Sequence, residues 1–574
     1  MIKRLFCIAL CLALMGSLFW VSYTTDDPMY GGVDTEEITD NTVGDTTEAD
    51  RNTLTIWYAD DALTDYLTGV ALSYRQDKGI KVNIELKDGV EFIEEINAVS
   101  ACEAQDREEA MPDLYITSHD NLLKAYLSGI AAVITDPAGV VVPELFPDTA
   151  LNAVSCYDNY VAYPLYYETN FLLYNKTYMA SIAQSKMEAE SDLIEGNEAQ
   201  EKADSGDVPK EDITKQSDDD KNDDNKPEDK NSDDKNKEDK TDAEKTENAG
   251  DAASADNAKD NENEDAGKTE DGGDFGELIE EESDPMGNED MVADEEVLNR
   301  LATMIPETLD DIMTFANNYD APEAVESVFK WDVTDIFYNY FFVGNYMDVG
   351  GVHGDNAAVF NIYNSQAVEC LKKYQEMNQF FSIDTAVDNY DKILKDFIDG
   401  KMVFTVATTD AIEKIHTAKN NGEFEFEYGV STLPDISSLL KARGLSVTDV
   451  VAINGYSIKQ AAANEFATYL VNYKADDLYK KSGKVSCAKN VEYEDGQIMN
   501  VMAEYEKSMP LPKMVEASNY WVQLEIALTK IWKGADPDET LKELSDTMGA
   551  QIEEIRANLP VQESFNAGGG KFVQ

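Results

Sequence analysis

Leu54-Thr55-Ile56-Trp57-Tyr58, then apolar residues at Leu63, Tyr66, Leu67, Val70, Ala71 and Tyr74, then Gly79, then Lys81-Val82-Asn83-Ile84-Glu85-Leu86: this stretch decides the fold. The first run is short, apolar and rich in β-branched and aromatic residues, as a buried strand requires. The second set recurs at intervals of three and four, which places it on one face of a helix. Gly79 follows where a helix needs a residue free to turn left-handed at its C-terminal end. The third run predicts a second strand. A helical pattern over 90–104 then leads to Pro112-Asp113-Leu114-Tyr115-Ile116-Thr117. Strands alternating with helices of this length predict an α/β fold with a mostly parallel sheet. In such sheets ligands sit beyond the carboxyl ends of the strands.

Further strands are predicted over 161–165, 171–175, 328–333, 403–408, 428–433 and 450–453, and helices over 367–380, 390–398, 461–473 and 519–532. Residues 187–297 interrupt the pattern with a low-complexity mixture of Asp, Glu, Lys, Asn and Ser. A segment with so little apolar surface cannot offset chain entropy of about 1–2 kcal/mol per residue, so it reads as a disordered acidic insertion. Much of the net charge of −67 lies there. A chain this acidic repels phosphate backbones, which excludes nucleic acid as a partner class.

At the N-terminus Lys3 and Arg4 precede a mostly apolar run over 5–23, and Asp26 and Asp27 follow. About 19 residues suffice to cross a bilayer, and the basic flank keeps the rest of the chain outside the cell. Residues 1–23 therefore read as a signal or membrane anchor, with an uncleaved anchor, a cleaved signal and a lipoprotein through Cys7 or Cys11 as the alternatives. Residues 24–52 read as a flexible stalk. Cys102, Cys156, Cys370 and Cys487 are widely spaced with no metal-ligand pattern, and read as small core residues.

Several segments, in order, resemble the extracellular solute-binding proteins of ABC importers, in the branch typified by maltose-binding protein. They are Leu54-Thr55-Ile56-Trp57, Lys78-Gly79-Ile80-Lys81-Val82, Pro112 through Asp120, Ser128-Gly129-Ile130, and Tyr163-Pro164-Leu165-Tyr166-Tyr167-Glu168. Beyond the insertion come Pro306-Glu307-Thr308-Leu309, Phe397 through Phe404, Tyr428 through Pro434, Met509-Pro510-Leu511-Pro512 and Tyr520-Trp521. The resemblance implies a two-lobed clamp of the periplasmic-binding-protein type II fold. Lobe 1 would comprise 53–166 and 435–488, and lobe 2 would comprise 167–186, 298–434 and 489–574. It also implies capture of a sugar-like small-molecule solute outside the cell, and delivery to the permease subunits of an importer at the membrane.

Site residues follow from the same matches. Asp61, Asp120 and Glu168 fall where the family offers carboxylates to sugar hydroxyls, which are good donors to such acceptors. Trp521 matches an aromatic that stacks on a sugar face. Asp335 and Phe337 match a second ligand-side pair across gaps. Thr117 and Asp410 stand where the family example has stacking tryptophans, and Asn121 and Glu525 where it has basic residues. The site keeps acids and loses aromatic platforms, which favours a smaller or more polar saccharide, or a cationic solute, over maltodextrin.

Nothing here implies catalysis. The three histidines, His119, His353 and His416, lack zinc spacing, and no Gly-x-Ser-x-Gly or phosphate-loop motif occurs. No metal or cofactor is implied, and His119 reads as structural. A surface sensor or adhesion protein using the same clamp without transport is the second reading.

Overall fold

The computed structural model describes residues 53–102, 111–204 and 294–558. The expected anchor over 1–23, the stalk over 24–52 and most of the acidic insertion lie outside these residues. One expectation is corrected at the insertion's start. The helix Lys176–Asp204 runs well past residue 187, where order was expected to stop. Its later part, 187–204, carries five Glu and three Ala, which are good helix formers. Low hydrophobicity removes a core, not helix propensity. The described residues up to Ala180 and from Asn299 onward form the main body, and the described residues between Ser181 and Leu298 form a second unit.

Strands β1 (Thr53–Tyr58), β2 (Lys81–Leu86) and β3 (Leu114–Ser118) are parallel, with β1 central. The helix Thr64–Lys78 carries the chain from β1 to β2 and ends at Gly79, whose N–H donates to the Arg75 carbonyl and whose φ of 73° turns the chain out of the helix. A small hairpin, β4 (Ser155–Cys156) and β5 (Asn159–Tyr160), precedes the long strand β6 (Ala162–Asn175). Then come β7 (Ser327–Lys330), the hairpin β8 (Asp348–Val349) with β9 (Phe360–Asn361), β10 (Met402–Thr408), β11 (Tyr428–Ser431), β12 (Leu445–Ile453), β13 (Val485–Ser486) and β14 (Met509–Pro510). The strand order is β2-β1-β3-β12-β6-β10-β7, with β11 and β13 also on β6 and β14 on β12.

The sequence predicted two strands over 161–165 and 171–175; the structure joins them as β6. No Gly or Pro interrupts residues 165–175, so nothing ends the strand. Its first part, through Thr169, pairs antiparallel with β12, and its second part, from Asn170, pairs antiparallel with β10 and β11. One strand thus belongs to both halves of the clamp. The other crossings meet it at this point. Thr169 Oγ1 donates to the Leu445 carbonyl at 3.0 Å, the Asn170 side-chain amide donates to the Phe337 carbonyl at 2.6 Å, and Met509 N–H donates to the Gly444 carbonyl at 2.8 Å. Arg443 donates from Nε and a terminal nitrogen to the Lys507 and Ser508 carbonyls.

Each half has an aromatic core. Trp57, Tyr66, Tyr74 and Tyr115 are fully buried beside the first sheet half, and Trp331, Phe342, Tyr374 and Trp532 pack ring against ring in the second. At about 25 cal/mol per Å2 of apolar surface, burial of such rings contributes strongly to folding. Cys156, Cys370 and Cys487 are buried as expected of core residues, but Cys102, at the end of the helix Phe92–Ala101, is exposed.

Candidate functional site

The carboxyl ends of β1 and β3 open into a cavity of about 430 Å3. Asp60, Thr117, Asn121, Tyr166 and Asp449 line it, with Glu91 and Glu94 among the residues between Gly89 and Glu94 that also border it. The backbone explains how these side chains meet. Asp449 lies on β12 between its two neighbours, in register with Ser118 of β3 and Tyr166 of β6. The β12–β6 ladder shifts there, from Asp449 opposite Tyr166 to Val450 opposite Pro164. Pro164 has no N–H to give the ladder, so the irregularity falls beside it. Such shifts re-aim side chains next to sites.

One cation serves this wall. The helix Ala475–Ser482 ends at Gly483, whose φ of 71° turns the chain, and Lys484 then stands one antiparallel position before Val485, which faces Tyr167. Lys484 Nζ lies 2.9 Å from Asp60 Oδ2 and 3.5 Å from Glu168 Oε1, and 5.3 Å from the Tyr166 ring centre. Tyr166 OH donates to Asp60 Oδ2 at 3.3 Å, and Ala62 N–H donates to Asp60 Oδ1 at 3.1 Å. Among the described residues, no donor hydrogen-bonds the Asp449 carboxyl. Burial pushes its pKa up to about 8; Glu168, Asp60 and Asp120 add to the rise while Lys484 opposes it. Burial also lifts the Tyr166 phenol well above its ordinary value, and Asp449, Asp60 and Glu168 lift it further.

A second, larger cavity of about 1040 Å3 lies along the flank, between the helix Ala475–Ser482 and the helix Asp410–Asn420. Asp61 lines it. It extends to Lys176 and Tyr428, at the ends of β6 and β11 remote from the strand crossing. Several of its charges are already matched: Lys419 pairs with Glu427, and His416 Nε2 lies 2.9 Å from Asp495 Oδ2, which Tyr428 OH also approaches. The smaller cavity, with an unpartnered carboxyl at strand ends, has the stronger chemical claim.

Similar solved structures include an extracellular solute-binding protein from Staphylococcus aureus in complex with maltose, with TM-score 0.57 and 16% identity over 88% of this chain and 98% of that one. A cyclo/maltodextrin-binding protein complexed with maltotetraose gives TM-score 0.57 and 14% identity over 88% and 97%. The maltose-binding periplasmic protein MalE from Listeria monocytogenes, in complex with maltose, gives 0.56 and 15% over 88% and 99%. The fold is that of the maltose-binding solute-binding proteins. No family model and no curated protein matches the sequence.

Within this solute-binding-protein fold the residues named from sequence fall into three groups. Glu168 and Asp120 do not line the smaller cavity but adjoin residues that do; Glu168 shares Lys484 with Asp60, and Asp120 Oδ1 accepts from Ser118 Oγ at 2.6 Å. Asp61 is exposed toward the larger cavity, and its neighbour Asp60 takes the place beside Tyr166 and Lys484. Asp335, Phe337 and Trp521 belong to the other half of the clamp. Asp335 caps a short helix, Ile336–Asn339, accepting from Phe337 N–H at 2.8 Å. The Phe337 ring meets Tyr338 edge to face at 6.0 Å, and its carbonyl holds Asn170. Trp521 is half-buried against Tyr340 and Tyr520, with ring centres 5.4 and 4.9 Å away.

Sequence reasoning missed Asp60, Tyr166, Asp449 and Lys484. It also missed the stacked pair Tyr338–Tyr390, 4.8 Å apart, and the bond from Tyr390 OH to Asp410 at 2.6 Å. Asp449 carried a signal: it is a lone acid inside an apolar strand, Val447-Thr448-Asp449-Val450-Val451. Lys484 carried none, because its role depends on strands paired far from it in sequence. His119 is fully buried and doubly bonded, Nε2 to the Leu511 carbonyl and Nδ1 from Thr448 N–H, both at 3.0 Å. Those bonds hold the β3 loop against β12 and the segment after β14.

Proposed function

We propose that this chain captures a sugar-like solute outside the cell and hands it to the permease subunits of an ABC importer, tethered to the outer face of the membrane by its N-terminal segment. The observation that carries the reading is the cavity at the carboxyl ends of β1 and β3, walled by Asp60, Tyr166 and Asp449 next to the strand crossing. Three similar structures are sugar-binding proteins of this fold, which supports a saccharide-sized occupant. Asp120 and Glu168, with Asp60, Asp449 and Lys484, would bind from one lobe. Asp335, Phe337 and Trp521 would close from the other, and Asp61 would contact a longer solute at the flank.

The mechanism is a population shift. A solute that touches both lobes only in the closed state favours closure by its differential affinity. Because β6 runs unbroken through both halves, the lobes rotate about the crossing while each keeps its own core. The test is a thermal melt of the whole chain with a panel of saccharides. A solute at about 100 times its Kd stabilises the native state by about 2.7 kcal/mol, and small-angle scattering should contract with the same compound. A panel with no saccharide raising the melting temperature would overturn the sugar assignment.

A further inference from the structure

We infer that the occupant of the cavity carries a protonated amine, seated against Asp449. The inference rests on reading that cavity as the solute site, and it names the chemical class. Asp60 spends both carboxylate oxygens within the protein, one on Ala62 N–H and one on Lys484 and Tyr166 OH. Glu168 shares the same ammonium at 3.5 Å. Asp449 lines the cavity with no donor among the described residues. The groups facing it are Glu168, Asp60 and Asp120, which repel its charge, Tyr166, and Lys484, already engaged by two acids. On the cavity's border Glu94 is tied to Lys124, and Glu91 adds a further negative charge. Carboxylates thus outnumber ammonium groups around the cavity. A neutral sugar could hydrogen-bond here but would leave the excess charge standing. An ammonium removes it and forms a charge-assisted bond to the one carboxyl left open.

Thr117 and Asn121 agree with this. They line the cavity with small polar side chains and bring no cation of their own to it. Two sources supply the chemistry, an amino sugar and a polyamine, and one experiment separates them. Calorimetry on the full chain uses glucosamine, its neutral counterpart N-acetylglucosamine, spermidine and maltose. Glucosamine or spermidine should bind at least tenfold more tightly than either neutral sugar, and whichever amine wins names the source.

Burial and the neighbouring carboxylates raise the Asp449 pKa to about 8, so an ammonium that pairs with its carboxylate is expected to displace a proton. Spermidine affinity should therefore fall about tenfold per pH unit below 8, through pH 6. Asp449→Asn should weaken amine binding at least tenfold at pH 8 and flatten the pH dependence. Its melting temperature without solute should not drop, which separates lost recognition from lost folding. Maltose or N-acetylglucosamine binding more tightly than both amines would overturn this inference and leave the sugar-clamp reading standing. Amine binding that is unchanged by Asp449→Asn would also overturn it. Failure of all four compounds to bind would count against the inference and the cavity together.

Discussion

Replacing Gly444 with alanine places a methyl carbon 2.3 Å from Asn170 Oδ1 and 2.9 Å from Leu433 Cδ1. The leucine methyl can rotate aside. The Asn170 amide cannot yield so easily, because it is fully buried and its nitrogen is bonded to the Phe337 carbonyl at 2.6 Å. Overpacking of this kind costs roughly 1–3 kcal/mol, and disturbing the part-buried bond from Asn170 to the Phe337 carbonyl adds about 1 more. A destabilisation of about 3 kcal/mol is expected for Gly444→Ala in urea unfolding of the solute-free protein. Gly496→Ala is the control: its φ is −63° and a Cβ there meets nothing within 4 Å. That variant should stay within about 0.5 kcal/mol of the parent. Asn170→Ala combined with Gly444→Ala should be less damaging than the two added, by about 1–2 kcal/mol, since the first removes what the second strikes. If Gly444→Ala matched the control, the claim that the crossings are close-packed at this point would be refuted.

Two further outcomes are expected. Gly549 lies inside the helix Pro537–Asn558 with open space around it, so Gly549→Ala should stabilise by about 0.5–1 kcal/mol in the same assay, and a loss would show that the space is occupied. Burial, and then the charge of Lys513, holds His119 neutral by lowering its pKa to about 4. The unfolded chain takes up that proton first, so stability should fall as pH drops from about 6.5 to 4. A His119→Gln series of urea midpoints should lack this part of the slope, and parallel curves would refute it.

Much of the fold was legible because its signals are local. The spacing from Leu63 to Tyr74 and the stop at Gly79 depend only on helical period and backbone freedom, and both stand in the structure. The structure adds a local signal of the same kind at Thr308, whose side chain and Asp311 form a reciprocal cap on the helix Leu309–Asn318. The length of β6 was not legible, because whether residues 166–170 remain extended depends on partners that arrive from β10 and β12. Helix beyond residue 187 was missed for a different reason: composition that forbids a core was read as forbidding a helix.

By itself the sequence determined an α/β chain with the order of strands and helices of a two-lobed clamp, and an acidic surplus. Period, turn residues and charge are properties of neighbours along the chain, and they suffice for that much. Only the tertiary structure decided which carboxyl lacks a partner. Asp449, Lys484 and Asp60 come from three distant segments, and their protonation follows from distances set by strand register rather than by sequence.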